Sequence, residues 1–186
     1  MIVHHFSVGQ YHRMIETGVL DENDRVELLE GCVVPKMTHN PPHDCAVSLA
    51  QTCLLAELSQ TWVLRIQSAI TTEDSEPEPD LVVARGPARR YLKAHPHPKD
   101  IALAVEVADS TLELDRIDKA RIYARGRIPI YWIINLIDST VEVYSRPSGR
   151  KLSSYQQRDD YFAGDRIPLV INGKRIAWIS VADLLP

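Results

Sequence analysis

Apolar residues alternate with polar ones, or run together, in five short segments, and this spacing predicts the strands of a sheet. The five segments are WVLRIQSAI, DLVVAR, IALAVEVA, IPIYWIIN and TVEVYSR. Helical spacing occurs in two longer stretches. HDCAVSLAQTCLLAELSQ precedes the first strand, and TLELDRIDKARIYAR follows the third strand and stops at Gly126. This order of helices and strands predicts a mixed α/β fold.

Smaller elements are predicted at both ends of the chain. Ser7 is a suitable N-cap for a helix in VGQYHRMIET, with Gly18 as its stop. RVELLEGCVVPK predicts two short strands around a Glu-Gly turn, and LVINGKRIAWI carries an Asn-Gly pair typical of hairpins. SVADLLP predicts a last helical turn. The basic, proline-rich segment GPARRYLKAHPHPKD is expected to be an exposed loop within one domain that spans residues 1–186.

The composition agrees with one ordered domain. The chain has 186 residues, of which 45% are hydrophobic and 25% are charged, so it can bury a substantial core. Its formal net charge of −4 argues against a protein that coats nucleic acid without specificity. A local basic patch is compatible with this net charge, and DNA therefore stays among the candidate partners.

The cysteine pattern is typical of a reducing compartment, and the lack of long apolar runs argues against secretion and membrane insertion. Cys32, Cys45 and Cys53 form no C-x-x-C pair and no Cys/His spacing of a zinc site, so we expect reduced thiols that lie mostly in the core. The first residues lack the apolar core of a signal peptide, and no run approaches the roughly 20 apolar residues of a membrane helix. We therefore expect a cytoplasmic protein without a membrane segment.

Two carboxylates stand out in the predicted strands. The stretch EPEPDLVVAR places Asp80 at the opening of one strand, and Glu106 is the single charge in the next, IALAVEVA. Alternation puts Glu106 on a face shared with alanines. The opposite face carries Ile101, Leu103, Val105 and Val107. A carboxylate buried on such a strand needs a partner or a cation, whereas an edge strand would leave Glu106 in water.

The helix after this strand carries a lysine among its apolar positions. Ser110 and Glu113 in DSTLE have capping-box spacing, which predicts that the helix begins there. Lys119 and Asp115 fall inside the apolar arc, at a spacing that allows them to pair. The arc is formed by Ile117, Ala120, Ile122, Tyr123 and Ala124. That pair, or a lysine with a buried stem and a solvated ammonium, is a purely structural explanation of Lys119.

Asp80, Glu106 and Lys119 together suggest a particular chemistry. Two carboxylates and a strand carbonyl can hold a hard cation such as Mg²⁺, which prefers oxygen ligands and keeps several waters. A nearby ammonium can orient an attacking water and stabilise charge that develops on phosphate. The arrangement points to phosphodiester hydrolysis.

The segments PEPDLVVAR and LAVEVADSTLELDRIDKARIYARGRIPIYWIINLIDSTVEVY resemble the Uma-two family of restriction-endonuclease-like proteins, a branch of the PD-(D/E)xK nuclease superfamily. VELLEGCVVPKMTHNPPH is similar to the N-terminal hairpin and following loop of that family. The resemblance covers most of the chain. It implies a restriction endonuclease-like α/β fold with the core order α-β-β-β-α-β, a mixed central sheet, an N-terminal helix and hairpin, and a C-terminal hairpin.

The same resemblance implies the roles of the site residues. Asp80 is the expected metal-binding aspartate, Glu106 the second carboxylate, and the Val107 carbonyl a third ligand of Mg²⁺ or Mn²⁺. The plain E-x-K spacing is absent, because Ala108 stands two residues after Glu106. The catalytic lysine is then Lys119, on the helix. Further positions that match the family pattern are Ser110, Thr111 and Tyr123, which capping and packing explain as well.

Two more residues match positions of the family with less specific roles. Glu27, in VELLEG, lies where an acidic residue could reach the metal, although a pair with Arg25 or Lys36 would give the same pattern. His43 matches a family histidine, and a histidine at the start of a helix or in the core is the better explanation. The spacing of His39 and His43 lacks the acid of an H-E-x-x-H zinc motif.

Candidate DNA contacts come from two basic clusters. The first comprises Arg85, Arg89, Arg90 and Lys93, and the second comprises Arg116, Arg121, Arg125 and Arg127. Both could neutralise phosphates, and nearby acids could also balance them. The resemblance implies a DNA substrate and a homodimer, since two sites suit two strands. The alternatives are a non-catalytic protein that keeps the nuclease scaffold for binding, and a hydrolase of small phosphorylated substrates.

Overall fold

A computed structural model describes residues 3–21, 23–148 and 153–186. The helical elements are α1 (Val8–Glu16), α2 (Pro41–Glu57), α3 (Leu112–Leu114), a π-helical turn (Asp115–Lys119), α4 (Ala120–Arg125), and short 3₁₀ turns at Ala88–Tyr91, Pro98–Asp100 and Val181–Asp183. The strands are β1 (Val26–Leu29), β2 (Cys32–Pro35), β3 (Trp62–Ile66), β4 (Leu81–Arg85), β5 (Ile101–Ala108), β6 (Ile130–Asn135), β7 (Thr140–Pro147), β8 (Tyr155–Phe162), β9 (Arg166–Ile171) and β10 (Lys174–Ser180).

A six-stranded sheet in the order β3-β4-β5-β6-β7-β8 forms the centre of the fold. β5 and β6 run parallel, and the other neighbouring pairs run antiparallel. The helical segment between β5 and β6 is the crossover that a parallel pair requires. From α2 to β6 the elements follow the order α-β-β-β-α-β, so the predicted mixed sheet and core order are confirmed.

Two apolar layers cover the sheet. One contains α2 and the β9–β10 hairpin, and the other contains α4. The predicted alternation of β5 is confirmed from Leu103 onward, with Leu103, Val105 and Val107 in the first layer and Ala104 in the second. It is wrong for Ile101, which lies in the second layer, and for Ala102, which lies in the first, because a bulge opposite Val83 and Ala84 shifts the register by one residue.

The terminal elements follow their sequence signals. Ser7 caps α1 in a capping box with Gln10. Asn172 and Gly173 form the β9–β10 turn with φ of 50° and 73°, and Glu30 and Gly31 form the β1–β2 turn with φ of 49° and 78°. Positive φ at both central residues is the geometry that tight hairpins need. The predicted N-terminal helix and both hairpins are therefore confirmed.

Two features of the sheet differ from the sequence pattern. The predicted strand WVLRIQSAI ends at Ile66, because Gln67 adopts a φ of 43° that no extended strand contains. β8 was not predicted from its sequence YQQRDDYF, which is rich in polar and charged side chains. It pairs with β7 as an edge strand, where one face can stay in water.

The helical crossover departs most from expectation. The predicted capping box of Ser110 and Glu113 is wrong, since the helix begins at Leu112 and its N-cap Thr111 makes no capping bond. Ile117 was predicted to lie in the apolar arc, but its side chain is 53% exposed. The π-helical turn explains this, because its i→i+5 bond from the Ala120 amide to the Asp115 carbonyl shifts the side chains relative to a regular helix.

Cys32, Cys45 and Cys53 are free thiols, as expected, but their expected place in the core is wrong, since Cys45 is exposed and the other two are half-buried. Among the described helices, none has both the length and the apolar character needed to cross a membrane.

A buried carboxylate fixes the π-helical turn to the sheet. Glu142 of β7 is 0% exposed and accepts hydrogen bonds from Arg116 Nε at 3.0 Å and Nη2 at 2.5 Å. Tyr144 Oη and Asn135 Nδ2 donate to the same carboxylate at 2.7 and 3.1 Å. Burial alone would raise the pKa of Glu142, but these hydrogen bonds hold it below its ordinary value.

We expect Glu142→Gln to lower the free energy of unfolding at pH 7 by about 2–3 kcal/mol, because it leaves the half-buried Arg116 without its carboxylate. A carboxyl group with a lowered folded pKa stabilises the protein above its unfolded pKa and loses this contribution as the pH falls through the folded value. The difference between wild type and variant should therefore shrink in acid. Urea unfolding at pH 7 and in acid measures it, with the exposed Glu57→Gln as control. Equal stability of all three proteins at pH 7 would contradict this account.

Candidate functional site

Asp80 and Glu106 meet at one end of the central sheet. Leu81 of β4 pairs with Val105 of the antiparallel strand β5. Asp80, which precedes Leu81, and Glu106, which follows Val105, therefore lie at the same end of the sheet. A cavity of about 380 Å³ opens there. Its walls come from the β1–β2 hairpin, the start of α2 and the helical crossover. Both carboxylates line this cavity together with Lys119, so the three predicted residues converge.

Asp80 is buried and well supplied with hydrogen-bond donors. Its Oδ2 accepts from the Val107 amide at 2.8 Å and lies 3.2 Å from His43 Nε2. Burial would raise the pKa of Asp80, but the hydrogen bond and charge of His43, the Val107 amide and Lys119 keep it below its ordinary value. Asp80 is therefore ionised near neutral pH, as a metal ligand must be.

Glu106 is 2% exposed, so the edge-strand explanation does not apply to it. Its Oε1 accepts from Tyr123 Oη at 2.6 Å and forms an ion pair with Lys119 Nζ at 3.0 Å, and the Asp80 amide donates to its Oε2 at 3.4 Å. Burial, with the neighbouring charges of Asp115 and Asp80, raises the pKa of Glu106 well above its ordinary value despite Lys119. A cation beside Glu106 would relieve this excess of negative charge.

Lys119 is held inside the protein rather than at its surface. Its Nζ lies 3.0 Å from Glu106 Oε1 and 3.6 Å from Asp115 Oδ1, and the residue is 8% exposed. Burial would lower the pKa of Lys119, but Glu106, Glu27, Asp115 and Asp80 raise it well above its ordinary value. The side chain is therefore an ammonium. It contacts both its structural partner Asp115 and the site carboxylate.

The donor set fits a divalent cation. A carboxylate offers about four lone-pair directions, so Glu106 keeps capacity beyond its two hydrogen bonds and its ion pair with Lys119. The Val107 amide points to Asp80, and in an extended strand the carbonyl of the same residue faces the same edge. Glu27 is 5% exposed, lines the cavity and accepts from the Glu78 amide at 3.0 Å. Oxygen atoms of this kind are the ligands that Mg²⁺ and Mn²⁺ prefer.

Two histidines join this site through contacts that the sequence motifs did not reveal. His39, His43 and Asp80 each place one ligand atom within 4.8 Å of the other two. His43 occupies the first turn of α2, where the Asn40 side chain accepts from its amide at 3.0 Å. The acid that completes the group is Asp80, from another element, so a search for nearby H-E-x-x-H spacing could not find it.

The first basic cluster lies away from the cavity. Arg85 ends β4, so it is about 16 Å along the strand from Asp80. Its guanidinium stacks over Trp62 at 5.5 Å, and Arg90 pairs with Asp100 at 2.8 Å. None of Arg85, Arg89 and Arg90 is among the described residues that line the cavity. Their contact with DNA stays a prediction, separate from the metal centre.

The second basic cluster is largely paired with acids. Arg121 and Arg125 bind Glu30 at 2.6 and 2.9 Å, in addition to their contacts with Asp118 and Asp74. These charges tie the crossover to the β1–β2 hairpin. The cluster therefore has a structural role, as the neighbouring acids suggested.

Arg25 and Lys36 bring positive charge to the cavity instead. Arg25 is exposed, and no described carboxylate lies within 4 Å of its guanidinium. Its φ of 47° is an uncommon backbone conformation for a side chain other than glycine. Lys36 pairs with Glu78 at 2.5 Å, so neither residue provides the pair with Glu27 that the sequence left open. The sequence feature that could have indicated their place at the cavity is that Arg25 and Lys36 flank the hairpin that carries Glu27.

Comparisons with known proteins agree with the fold. A family model described as "Uma2: Putative restriction endonuclease" matches residues 8–172. A solved structure described as "a putative nuclease belonging to DUF820 from Anabaena variabilis ATCC 29413" superposes with a TM-score of 0.67 and 15% sequence identity. The match covers 91% of this chain and 94% of that chain, and at this identity it shows a common fold. No curated protein sequence matches this chain at a significant level.

The family model spans the N-terminal helix, the whole core from α2 to β6 and the first strand of the C-terminal hairpin. It therefore includes every residue of the candidate site. The chain belongs to the Uma2 family of restriction-endonuclease-like proteins.

Proposed function

We propose that the protein is a divalent-metal-dependent endonuclease that hydrolyses phosphodiester bonds of DNA. The observation that carries this proposal is the buried meeting of Asp80, Glu106 and Lys119 at the cavity. Family membership supports the nuclease class. The electrostatics of the two carboxylates also support a bound cation. The pKa of the buried Glu106 is raised next to an ionised Asp80, so a positive charge between them would stabilise the ionised form of Glu106.

The proposed ligands are Asp80, Glu106 and the Val107 carbonyl, with Glu27 as a further carboxylate at the same cavity. Mg²⁺ or Mn²⁺ bound there would polarise the scissile phosphate and increase the acidity of a water. Tyr123 is a positioning residue, because its hydroxyl donates to Glu106 Oε1 at 2.6 Å and fixes that carboxylate.

Lys119 has the role of a charged donor in this proposal. Its ammonium is held by Glu106 and Asp115, which leaves part of its three-donor capacity for a water or a phosphate oxygen. An ammonium in a buried site stabilises negative charge on phosphate more strongly than one in water. Lys119 would thus orient the attacking water and stabilise the transition state.

DNA is the proposed substrate, and Arg25 and Lys36 are the proposed contacts to its backbone near the cavity. We further propose that residues 1–186 work as one domain, because the hairpin, α2 and the crossover all line the same cavity. A homodimer would place one such site on each DNA strand. The free cysteines agree with action in the reducing cytoplasm.

We expect Asp80→Asn and Glu106→Gln to reduce cleavage of plasmid DNA in Mg²⁺ at least 100-fold, because each removes a charged ligand of the proposed ion. Gel assays of supercoiled plasmid measure the rate. Glu113→Gln is the matched control, since the Glu113 side chain is 79% exposed and close in sequence. Cleavage at the wild-type rate by folded Asp80→Asn and Glu106→Gln proteins would rule out the proposed site.

Lys119→Met separates catalysis from structure. We expect cleavage to fall about 100-fold, while Mn²⁺ still binds, because the substitution removes a positive charge but no proposed ligand. Calorimetric titration with Mn²⁺ and single-turnover cleavage measure the two properties. If metal binding and cleavage instead fall together, in proportion to the unfolded fraction, Lys119 serves only the structure.

Arg25→Ala and Arg89→Ala compare two exposed arginines at opposite ends of the sheet. We expect Arg25→Ala to weaken binding of duplex DNA and to lower the slope of log affinity against log salt concentration by about one phosphate contact. Arg89→Ala should weaken binding less, because Arg89 does not line the cavity. Fluorescence anisotropy in EDTA, at several salt concentrations, measures both quantities without cleavage. The opposite result would assign DNA contact to the cluster at the far end of β4.

A further inference from the structure

The group formed by His39, His43 and Asp80 lies at the edge of the cavity that faces α2. His39 directly precedes the helix N-cap Asn40, and His43 lies in the first turn. Their rings stack with centroids 4.4 Å apart and planes 18° apart, and both Nδ1 atoms lie 3.6 Å from Asp44 Oδ1.

The nitrogen atoms of His43 have unequal surroundings. Nε2 lies 3.2 Å from Asp80 Oδ2. Nδ1 is buried and makes no hydrogen bond to any described residue. The nearest acid to it is Asp44, whose Oδ1 lies 3.6 Å away. A carboxylate behind Nδ1 is the arrangement that usually orients a metal-binding histidine, since it favours hydrogen on Nδ1 and leaves the Nε2 lone pair free.

His39 shares this carboxylate. Its Nδ1 also lies 3.6 Å from Asp44 Oδ1, and Gln67 Nε2 lies 3.0 Å from the same nitrogen. A half-turn of the Gln67 amide would bring its carbonyl oxygen to this place and hold His39 in the tautomer with hydrogen on Nδ1. Both rings would then offer their Nε2 atoms on the side away from Asp44.

Without a metal, the Nε2 hydrogen of His43 faces the ionised Asp80. A cation between Nε2 and Asp80 would replace that hydrogen, and the remaining ring hydrogen would then lie on Nδ1, towards Asp44. Two imidazoles and one carboxylate bind Mn²⁺, Co²⁺ and Zn²⁺ well, whereas Mg²⁺ prefers oxygen atoms. Glu106 does not belong to the convergent group of described ligands, so the histidine side of Asp80 differs in chemistry from its Glu106 side.

We propose that His39, His43 and Asp80 form a second cation position, selective for transition-metal ions over Mg²⁺, with Asp80 shared between this position and the oxygen-lined one. The proposal rests on the proposed function only through Asp80. It assigns the metal preference of the protein to two histidines that lie outside the carboxylate–lysine site.

Cobalt is the most direct probe, because the visible absorption of bound Co²⁺ reports nitrogen ligands and requires no DNA. Metal-free, untagged protein is titrated with Co²⁺ while absorption and heat are recorded. We expect His39→Gln and His43→Gln each to weaken Co²⁺ binding at least tenfold and to change the spectrum. Glu106→Gln should keep the Co²⁺ spectrum, and His39→Gln should keep its Mg²⁺ affinity.

His97→Ala is the control, since His97 is an exposed histidine outside this cavity. His39 lies before the helix and is partly exposed, so His39→Gln keeps the test valid if His43→Gln does not fold. Co²⁺ binding that both histidine variants retain with an unchanged spectrum would overturn the proposal. If such variants still bind Mg²⁺ and cleave plasmid, the nuclease function stands and only the histidine position fails.

Discussion

The ion pair between Lys119 and Glu106 is the interaction on which the site depends. It joins the helical crossover to the central strand β5, with Nζ 3.0 Å from Oε1 and both residues more than nine-tenths buried. Charges removed from water in this way are stable only with close partners. Tyr123 and Asp115 provide them, and the π-helical turn brings Asp115 and Lys119 inward together. The helical crossover that connects the parallel strands β5 and β6 therefore also places the Lys119 ammonium beside Glu106.

The acids around this pair outnumber its cations. Asp80, Glu106 and Asp115 are all buried, and Lys119 is the ammonium they share. The pKa shifts follow from this arrangement: donors keep the pKa of Asp80 low, while burial and like charge raise the pKa of Glu106 and of Asp115. A cation bound at the cavity would reduce the repulsion among these buried carboxylates, so the same charges that destabilise the fold would favour binding of the cation. The charges that the fold must stabilise are therefore the same charges that would bind the cation.

Sequence reasoning found the parts of this site that have a local signal. Glu106 and Lys119 each interrupt an apolar pattern, and Asp80 directly precedes one, so these residues could be singled out. The spacing predicted a mixed α/β fold, and the resemblance to the Uma-two family implied the core order. The π-helical turn and the β5 bulge are one-residue changes of register that leave no local trace, and β8 is polar because it is an edge strand. The meeting of His43 with Asp80 depends on tertiary packing, which short motifs do not encode.

The central claim is that Asp80 and Glu106 hold a divalent cation. Calorimetric titration of the metal-free protein with Mg²⁺, beside folded Asp80→Asn and Glu106→Gln proteins, tests it most directly. The account predicts saturable binding by the wild type that each substitution weakens at least tenfold. Absence of Mg²⁺ binding by the wild type, even with DNA present, or binding that neither substitution changes, would contradict it.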